Sequence, residues 1–385
     1  MRVTNLMLSA CIAALALVSC AKEDLSGSHS SRLKSVEVSL ENVVFSGTRG
    51  EAGTKINDGD AVVVNDIKIF LTDAAGNEYS AKTSNGSEEA QSYWSADQLT
   101  AGTPLSAEFH YVDPNCTKVV AVANLGSDLT FAEYKALANL QIGAQQNSGA
   151  LALYAEEILV AKNEQHTDEN VDGTTYVSEV YEAALTLYPR ISRFEVDGFV
   201  VEFNATPKFN TIQITDILFQ NYYPETSLIT GVESGELVNH IPDLANQSTV
   251  YNWFNATKDA AWYFDSFDLT ITPAAPKADT PKPLAYHMFS CNTTPVMVIK
   301  LLADGIPAYI YTKGFYSSTE VDADNKPLLI EEFKEGTIYR MSAAGEVSSN
   351  GSIPIPEDKI DPMDRCLEIT VDVTKWVVEL VYPEF

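Results

Sequence analysis

From Ala61 onward, short runs of β-branched and aromatic residues are punctuated by turn residues, and this pattern leaves the chain little choice of architecture. Val62 to Leu71, Lys118 to Ala123, Tyr181 to Tyr188, Ile191 to Phe203 and Thr211 to Phe219 each read as strands, because branched and ring side chains pack well on a pleated, half-buried surface. Asn57-Asp58-Gly59-Asp60, Ala75-Gly76-Asn77 and Ser84-Asn85-Gly86 supply turn chemistry between runs. Upstream, Val36, Val38 and Leu40 alternate with Glu37, Ser39 and Glu41, the period-2 pattern of a strand, which Val43, Val44 and Phe45 extend. Thr130 and Glu133 form a capping box ahead of Phe131, Tyr134 and Leu137, which predicts a helix there. A second helix is expected over Ala150 to Val160. The proline-rich tract Pro273 to Pro283 reads as a long loop. A chain of 385 residues accommodates two or three domains. The fold class expected is mainly β, with two tandem sandwich-like domains meeting near Pro189 and Arg190.

The first twenty residues carry an address. Arg2 precedes an apolar run, Leu6 to Val18, that is shorter than the roughly 20 residues a membrane-spanning helix needs. The run ends in Leu17-Val18-Ser19-Cys20 and turns polar at once, the pattern of a lipoprotein signal with Cys20 as the lipidated residue. Ala21 to Ser31 is a polar spacer. Ser46 to Gly53 is small, polar and glycine-rich around a central Arg49, the kind of exposed loop at which proteases cut.

Charge and motifs narrow the function. The formal net charge is -28, from 53 acidic and 25 basic residues, and that excess repels phosphate backbones, so nucleic acid is excluded as a partner. Cys11 and Cys20 fall in the signal, and Cys116, Cys291 and Cys366 allow at most one internal disulfide; spacing leaves a Cys291–Cys366 pair open. His29, His110, His166, His240 and His287 are scattered, with no two at metal-ligand spacing, and no catalytic motif is present. No enzymatic activity and no cofactor are expected. Asp168, Asn170, Asp172, Gly173 and Glu179 match the spacing of a Ca²⁺ loop. Tyr176 to Tyr188 alternates like a strand rather than a helix, which favours an acidic surface hairpin. The aromatic residues Trp253, Phe254, Trp262, Tyr263, Phe264 and Phe267 fit either a platform for sugar rings or core filling.

The C-terminus changes phase. Leu367, Ile369, Val371 and Val373 are followed by Trp376, Val378, Leu380 and Tyr382, which moves the apolar face to the other side of the strand. A bulge within one sheet absorbs such a slip. Otherwise two consecutive segments serve two sheets.

Together these landmarks resemble the fimbrillins, the major and minor pilus subunits of Bacteroidales. The resemblance runs through the lipobox ending at Cys20, the strand before Arg49, Lys118 to Asn124, and the helix Leu129 to Leu140. It continues through Pro189-Arg190-Ile191-Ser192-Arg193, Tyr286-His287-Met288-Phe289 leading into Pro295 to Leu301, Gly336-Thr337-Ile338-Tyr339-Arg340 and Trp376. It implies transthyretin-like sandwiches with short helices in the first: signal 1–19, propeptide 20–49, N-terminal domain 50–189 and C-terminal domain 190–385. It also implies a structural subunit of a cell-surface fimbria with roles in adhesion and biofilm, exported as a palmitate-bearing outer-membrane lipoprotein. An arginine-specific protease would cut between Arg49 and Gly50, with Arg32 as the other candidate, and release Ser35 to Phe45. The donor segment 375–385, through Trp376, Val378, Leu380 and Tyr382, would fill the vacated groove of a neighbouring pilus subunit. A tip adhesin of the same system and a lipid-anchored glycan-binding lipoprotein are the alternatives.

Overall fold

A computed structural model describes residues 33–41, 43–45, 62–99, 105–137, 140–146, 149, 151–171, 173–256, 263–289, 294–325, 327–340, 353–357, 360 and 372–375. Cys20, Arg32, Arg49, Gly50, Asp172, Trp262, Cys291, Cys366 and Trp376 to Phe385 lie outside the described residues. The chain is mainly β, as its punctuation predicts.

Strands of three or more residues are numbered along the chain. The first half holds β1 (Lys34–Glu41), β2 (Val43–Phe45), β3 (Val62–Val64), β4 (Ile67–Thr72), β5 (Ser106–Val112), β6 (Lys118–Ala123), β7 (Leu153–Ile158), β8 (Val160–Glu169) and β9 (Thr175–Thr186). One sheet runs in the order β8-β9-β1-β5. A second is built around β7-β6-β4, and β2 pairs with β3 alone. Val36, Val38 and Leu40 of β1, Phe109 of β5, Ile67, Ile69 and Phe70 of β4, and Val119 to Ala123 of β6 belong to a single buried cluster. Helix α1 (Phe131–Ala136) begins where its capping box predicts: the Thr130 side chain accepts from Glu133 N, and the Glu133 carboxylate accepts from Thr130 N. Phe131 and Tyr134 bury one face against Phe70.

The second half holds β10 (Ile191–Glu202), β11 (Ile212–Gln220), β12 (Phe264–Ile271), β13 (Lys277–Phe289), β14 (Val296–Ala303), β15 (Ile306–Tyr311), β16 (Phe315–Val321), β17 (Pro327–Ile330), β18 (Thr337–Arg340), β19 (Ile353–Pro356) and β20 (Asp372–Lys375). One sheet runs β13-β10-β18-β20, with β19 also on β10. The other runs β12-β11-β14-β15, while β16 and β17 pair with each other. Phe194, Val196, Ile214, Phe219 and Ile299 join one core between them. A separate cluster with Leu218, Val298, Tyr309 and Phe254 lies beneath helix α2 (Gln247–Asn255).

Two expectations need correcting. The segment Ala150 to Val160 is not helical: Leu153 to Ile158 forms β7, paired residue by residue with β6 from Ala123 to Lys118, and that tertiary ladder overrides a weak local helix preference. The proline tract is loop only at its start, since from Lys277 it is strand β13. Prolines fit there because the register slips between Val196 and Gly198, so Val196 faces Leu284 and Gly198 faces Asp279, which leaves Pro281 and Pro283 out of the ladder. Gly198 is required at that slip, because a Cβ would meet Ala278 O at 2.8 Å. Helix α2 is not among the expected elements, though Val250, Trp253 and Phe254 stand at helical spacing and pack into one cluster. Its start is marked by Asn246, whose side chain caps Ser248 N and Thr249 N.

Candidate functional site

The strand expected to leave is a central strand. β1 pairs in parallel with β9 along its whole length, from Lys34 opposite Glu179 to Glu41 opposite Thr186. On its other side it pairs antiparallel with β5, Val36 opposite Phe109 and Val38 opposite Ala107. Val36, Val38 and Leu40 are fully buried, and each such side chain contributes about 1.5–3 kcal/mol by leaving water. Without β1, β5 and β9 would present two facing rows of unpaired backbone groups above an apolar floor. A cradle of this kind is specific for an extended segment with apolar residues at every second position.

The remaining contacts of β1 are few. Lys34 reaches into the protein, where its Nζ donates to Cys116 O at 2.7 Å and lies 4.3 Å from the Tyr181 ring. Burial lowers its pKa from the ordinary lysine value. The Cys116 thiol beside it is pushed up to about 11 by the same desolvation and forms no disulfide. On the outer face, Ser35 Oγ lies 2.6 Å from Ser178 Oγ and 3.4 Å from His110 Nδ1, and Glu37 accepts from Lys162 Nζ at 2.8 Å. After Phe45 the chain returns to β3 at Val62, and that connection, which contains Arg49 and Gly50, is the covalent link from β1 and β2 to the other described strands.

At the other end of the molecule, β20 lies against β18, from Asp372 opposite Arg340 to Lys375 opposite Thr337. It is the last strand in its sheet order. Ten residues follow, with Trp376, Val378, Leu380 and Tyr382 at alternate positions.

The segment with Ca²⁺-loop spacing is a hairpin turn. Asn170 N donates to Thr174 O, Gly173 N donates to Asn170 O, and Asn170 Oδ1 accepts from Val171 N. Asp168 stands opposite Tyr176, and Glu179 is an odd number of residues further along β9, so the two carboxylates project from opposite faces of the ladder. They do not converge on one ion. The structure instead joins Asp168 to His110 and His166, two histidines whose sequence spacing gave no hint of it. The aromatic group is spent on packing: Trp253 meets Phe254 at 5.0 Å, Phe254 stacks on Tyr309, and Phe267 lies against Phe199.

The junction of the two halves carries a buried polar network that sequence reading passed over. Glu195 Oε1 accepts from Arg193 Nε at 2.7 Å, and its Oε2 accepts from Arg340 Nε at 2.9 Å and Nη2 at 2.6 Å. Arg193 Nη1 donates to His287 Nε2, and His287 Nδ1 donates to Gln145 O, which fixes a neutral imidazole. Desolvation, and then the Arg193 charge, lower the His287 pKa to about 3. Arg190 ties the same region to Glu335 at 2.8 Å and lies over the Tyr154 ring. The signal was present as two sequence landmarks, Pro189 to Arg193 and Gly336 to Arg340, which pair as parallel strands.

No protein-family model matches the chain, and no curated protein matches it. The solved structures to which it is similar include cell adhesion and fimbrial proteins of Bacteroidales. A candidate cell adhesion protein from Bacteroides eggerthii has 13% identity and a TM-score of 0.46, covering 91% of this chain and 98% of its own. A fimbrilin from Porphyromonas gingivalis W83 has 11% identity and a TM-score of 0.43, covering 90% and 99%. The tip fimbrial protein of Porphyromonas gingivalis, solved with a C-terminal truncation, has 10% identity and a TM-score of 0.41, covering 91% and 100%.

Proposed function

We propose that the chain is a non-enzymatic structural subunit of a cell-surface fimbria, two sandwich domains split near Pro189, polymerised by strand exchange. One observation carries this reading: a central, fully paired strand, β1, is joined to its own fold only through the segment holding Arg49 and Gly50. Cleavage after Arg49 turns β1 into a non-covalent ligand, held by its ladder hydrogen bonds and by Val36, Val38 and Leu40. A second extended segment with the same period then competes for the cradle. The segment after Lys375 has that period in its sequence, and it follows β20, the last strand in its sheet order among the described residues. Donation head to tail does not close on itself, so it propagates as a filament.

In this reading Cys20 delivers a capped precursor to the outer membrane, and an arginine-specific protease uncaps it. N-terminal sequencing of mature surface material is expected to begin at Gly50. Lipidated Cys20 on every molecule would instead make the chain a permanently anchored lipoprotein. Deleting Trp376 to Phe385 is expected to abolish ladders of protease-treated protein on mild electrophoresis; ladders that persist would remove the donor assignment.

A further inference from the structure

At the start of β1 the first sheet curls until its two outer strands touch side chain to side chain. His110 Nδ1, from β5, lies 3.1 Å from Asp168 Oδ2, from β8, although β9 and β1 stand between those strands in the sheet. His166 Nδ1, also from β8, lies 3.0 Å from Asp168 Oδ1. The carboxylate is thus engaged on both oxygens by imidazoles. The three donor atoms all fall within 4.8 Å of one another. Asp168 and His110 are buried at 3% and 5% exposure, while the His166 side chain is 47% exposed and open to solvent on one side.

We infer that His110, His166 and Asp168 form a binding site for a divalent transition metal, with zinc the best fit. Two imidazole nitrogens and one carboxylate oxygen are a donor set suited to zinc, not to the oxygen-preferring Ca²⁺. Bonds of about 2.0–2.1 Å in a tetrahedron place ligand atoms roughly 3.3 Å apart; the 3.1 Å and 3.0 Å separations run to the two different oxygens of Asp168, so a modest turn of the carboxylate and rings would bring one oxygen and both nitrogens to that spacing. His-x-Asp on one strand face supplies two ligands from β8, and β5 supplies the third, with the fourth position facing solvent past His166. Glu108 Oε2 lies 3.8 Å from His110 Nε2, beyond hydrogen-bond distance, and adds negative charge beside the site. Ser35 and Ser178 floor the site from β1 and β9. A bound ion would pin the tip of the β8–β9 hairpin to β5 across the beginning of β1. The site depends on no assumption about polymerisation.

The test uses the full chain, freed of metal by chelator and titrated with zinc sulfate in competition with a chromophoric chelator. One equivalent is expected to bind, and cobalt chloride is expected to give the intense visible bands of a four-coordinate ion. His166→Ala, at a half-exposed position that leaves the fold unstrained, should abolish stoichiometric uptake of both ions while circular dichroism stays unchanged. Calcium chloride should neither bind nor displace zinc. Absence of uptake by the parent chain, or uptake undiminished in His166→Ala, would overturn the site and leave a buried histidine–carboxylate cluster.

Discussion

β1 and β10 occupy the same kind of position and are held there by opposite means. Each is a central strand with a parallel neighbour on one side and an antiparallel one on the other. β1 presents three aliphatic side chains to the core and a partly exposed polar face to the outside. β10 is buried on both faces, with Phe194 and Val196 in the core and Arg193, Glu195 and Asp197 buried on the reverse. A substitute for β1 need only be extended and apolar at alternate positions. A substitute for β10 would have to bring a carboxylate to Arg340 and an arginine to His287. Buried charge thus ties β10 to particular partners, whereas alternation alone asks little of the sequence that fills the place of β1.

The largest effect is expected where that lock is broken. Glu195→Ala takes the shared carboxylate away from Arg193 and Arg340 in a site closed to water, which typically costs about 3–5 kcal/mol. Chemical denaturation should show the loss. A loss below about 1 kcal/mol would mean that the network is not what fixes β10. Next in size, Leu40→Ala empties a fully buried position in the cradle and should cost about 2–5 kcal/mol of precursor stability. After cleavage at Arg49 the same variant should release its first strand faster than the parent; equal release rates would show that side-chain burial does not govern retention.

The lock also carries a pH dependence in the acid range. The unfolded chain takes up a proton on His287 near 6.5, while the buried, neutral imidazole resists it down to about 3. Stability is therefore complete above about 6.5 and falls as pH drops toward 3, by up to about 1.4 kcal/mol per pH unit from this group. Denaturation midpoints measured between pH 7 and pH 4 should fall in the parent and fall less steeply in His287→Gln. Parallel curves would move the acid sensitivity elsewhere.

The same contrast explains what could be read from the sequence. Alternation is local, so β1, β6, β10 and β11 were legible from their own residues, as was α1 from Thr130 and Glu133. Partners are not local. Nothing in the spacing of His110, Asp168 and His166 shows that the sheet curls to join them, and nothing in Arg193 alone shows that Arg340 arrives beside the same carboxylate. Ala150 to Val160 misled because its alanines and glutamates tolerate a helix, while the choice was made by β6. Pro281 and Pro283 misled because the bulge opposite Gly198 that admits them is a property of two strands together.

The smallest effect should come from the charge on the outer side of β1. Lys162 Nζ donates to Glu37 Oε2 at 2.8 Å and lies 3.8 Å from Glu182 Oε2, a geometry as short as those around Glu195. The setting is different, since the Glu37 and Glu182 side chains are 43% and 54% exposed, so water and salt screen the attraction that ordering a long lysine side chain already opposes. Lys162→Ala should accordingly leave the denaturation midpoint of the precursor within experimental error, at low salt as at high. A clear drop at low salt alone would show that the outer face helps to retain β1. Any segment replacing β1 would then need an acidic residue at the position of Glu37, a requirement that neither Val378 nor Leu380 and their neighbours Val377 and Glu379 meet equally, so the result would also set the register of the incoming strand.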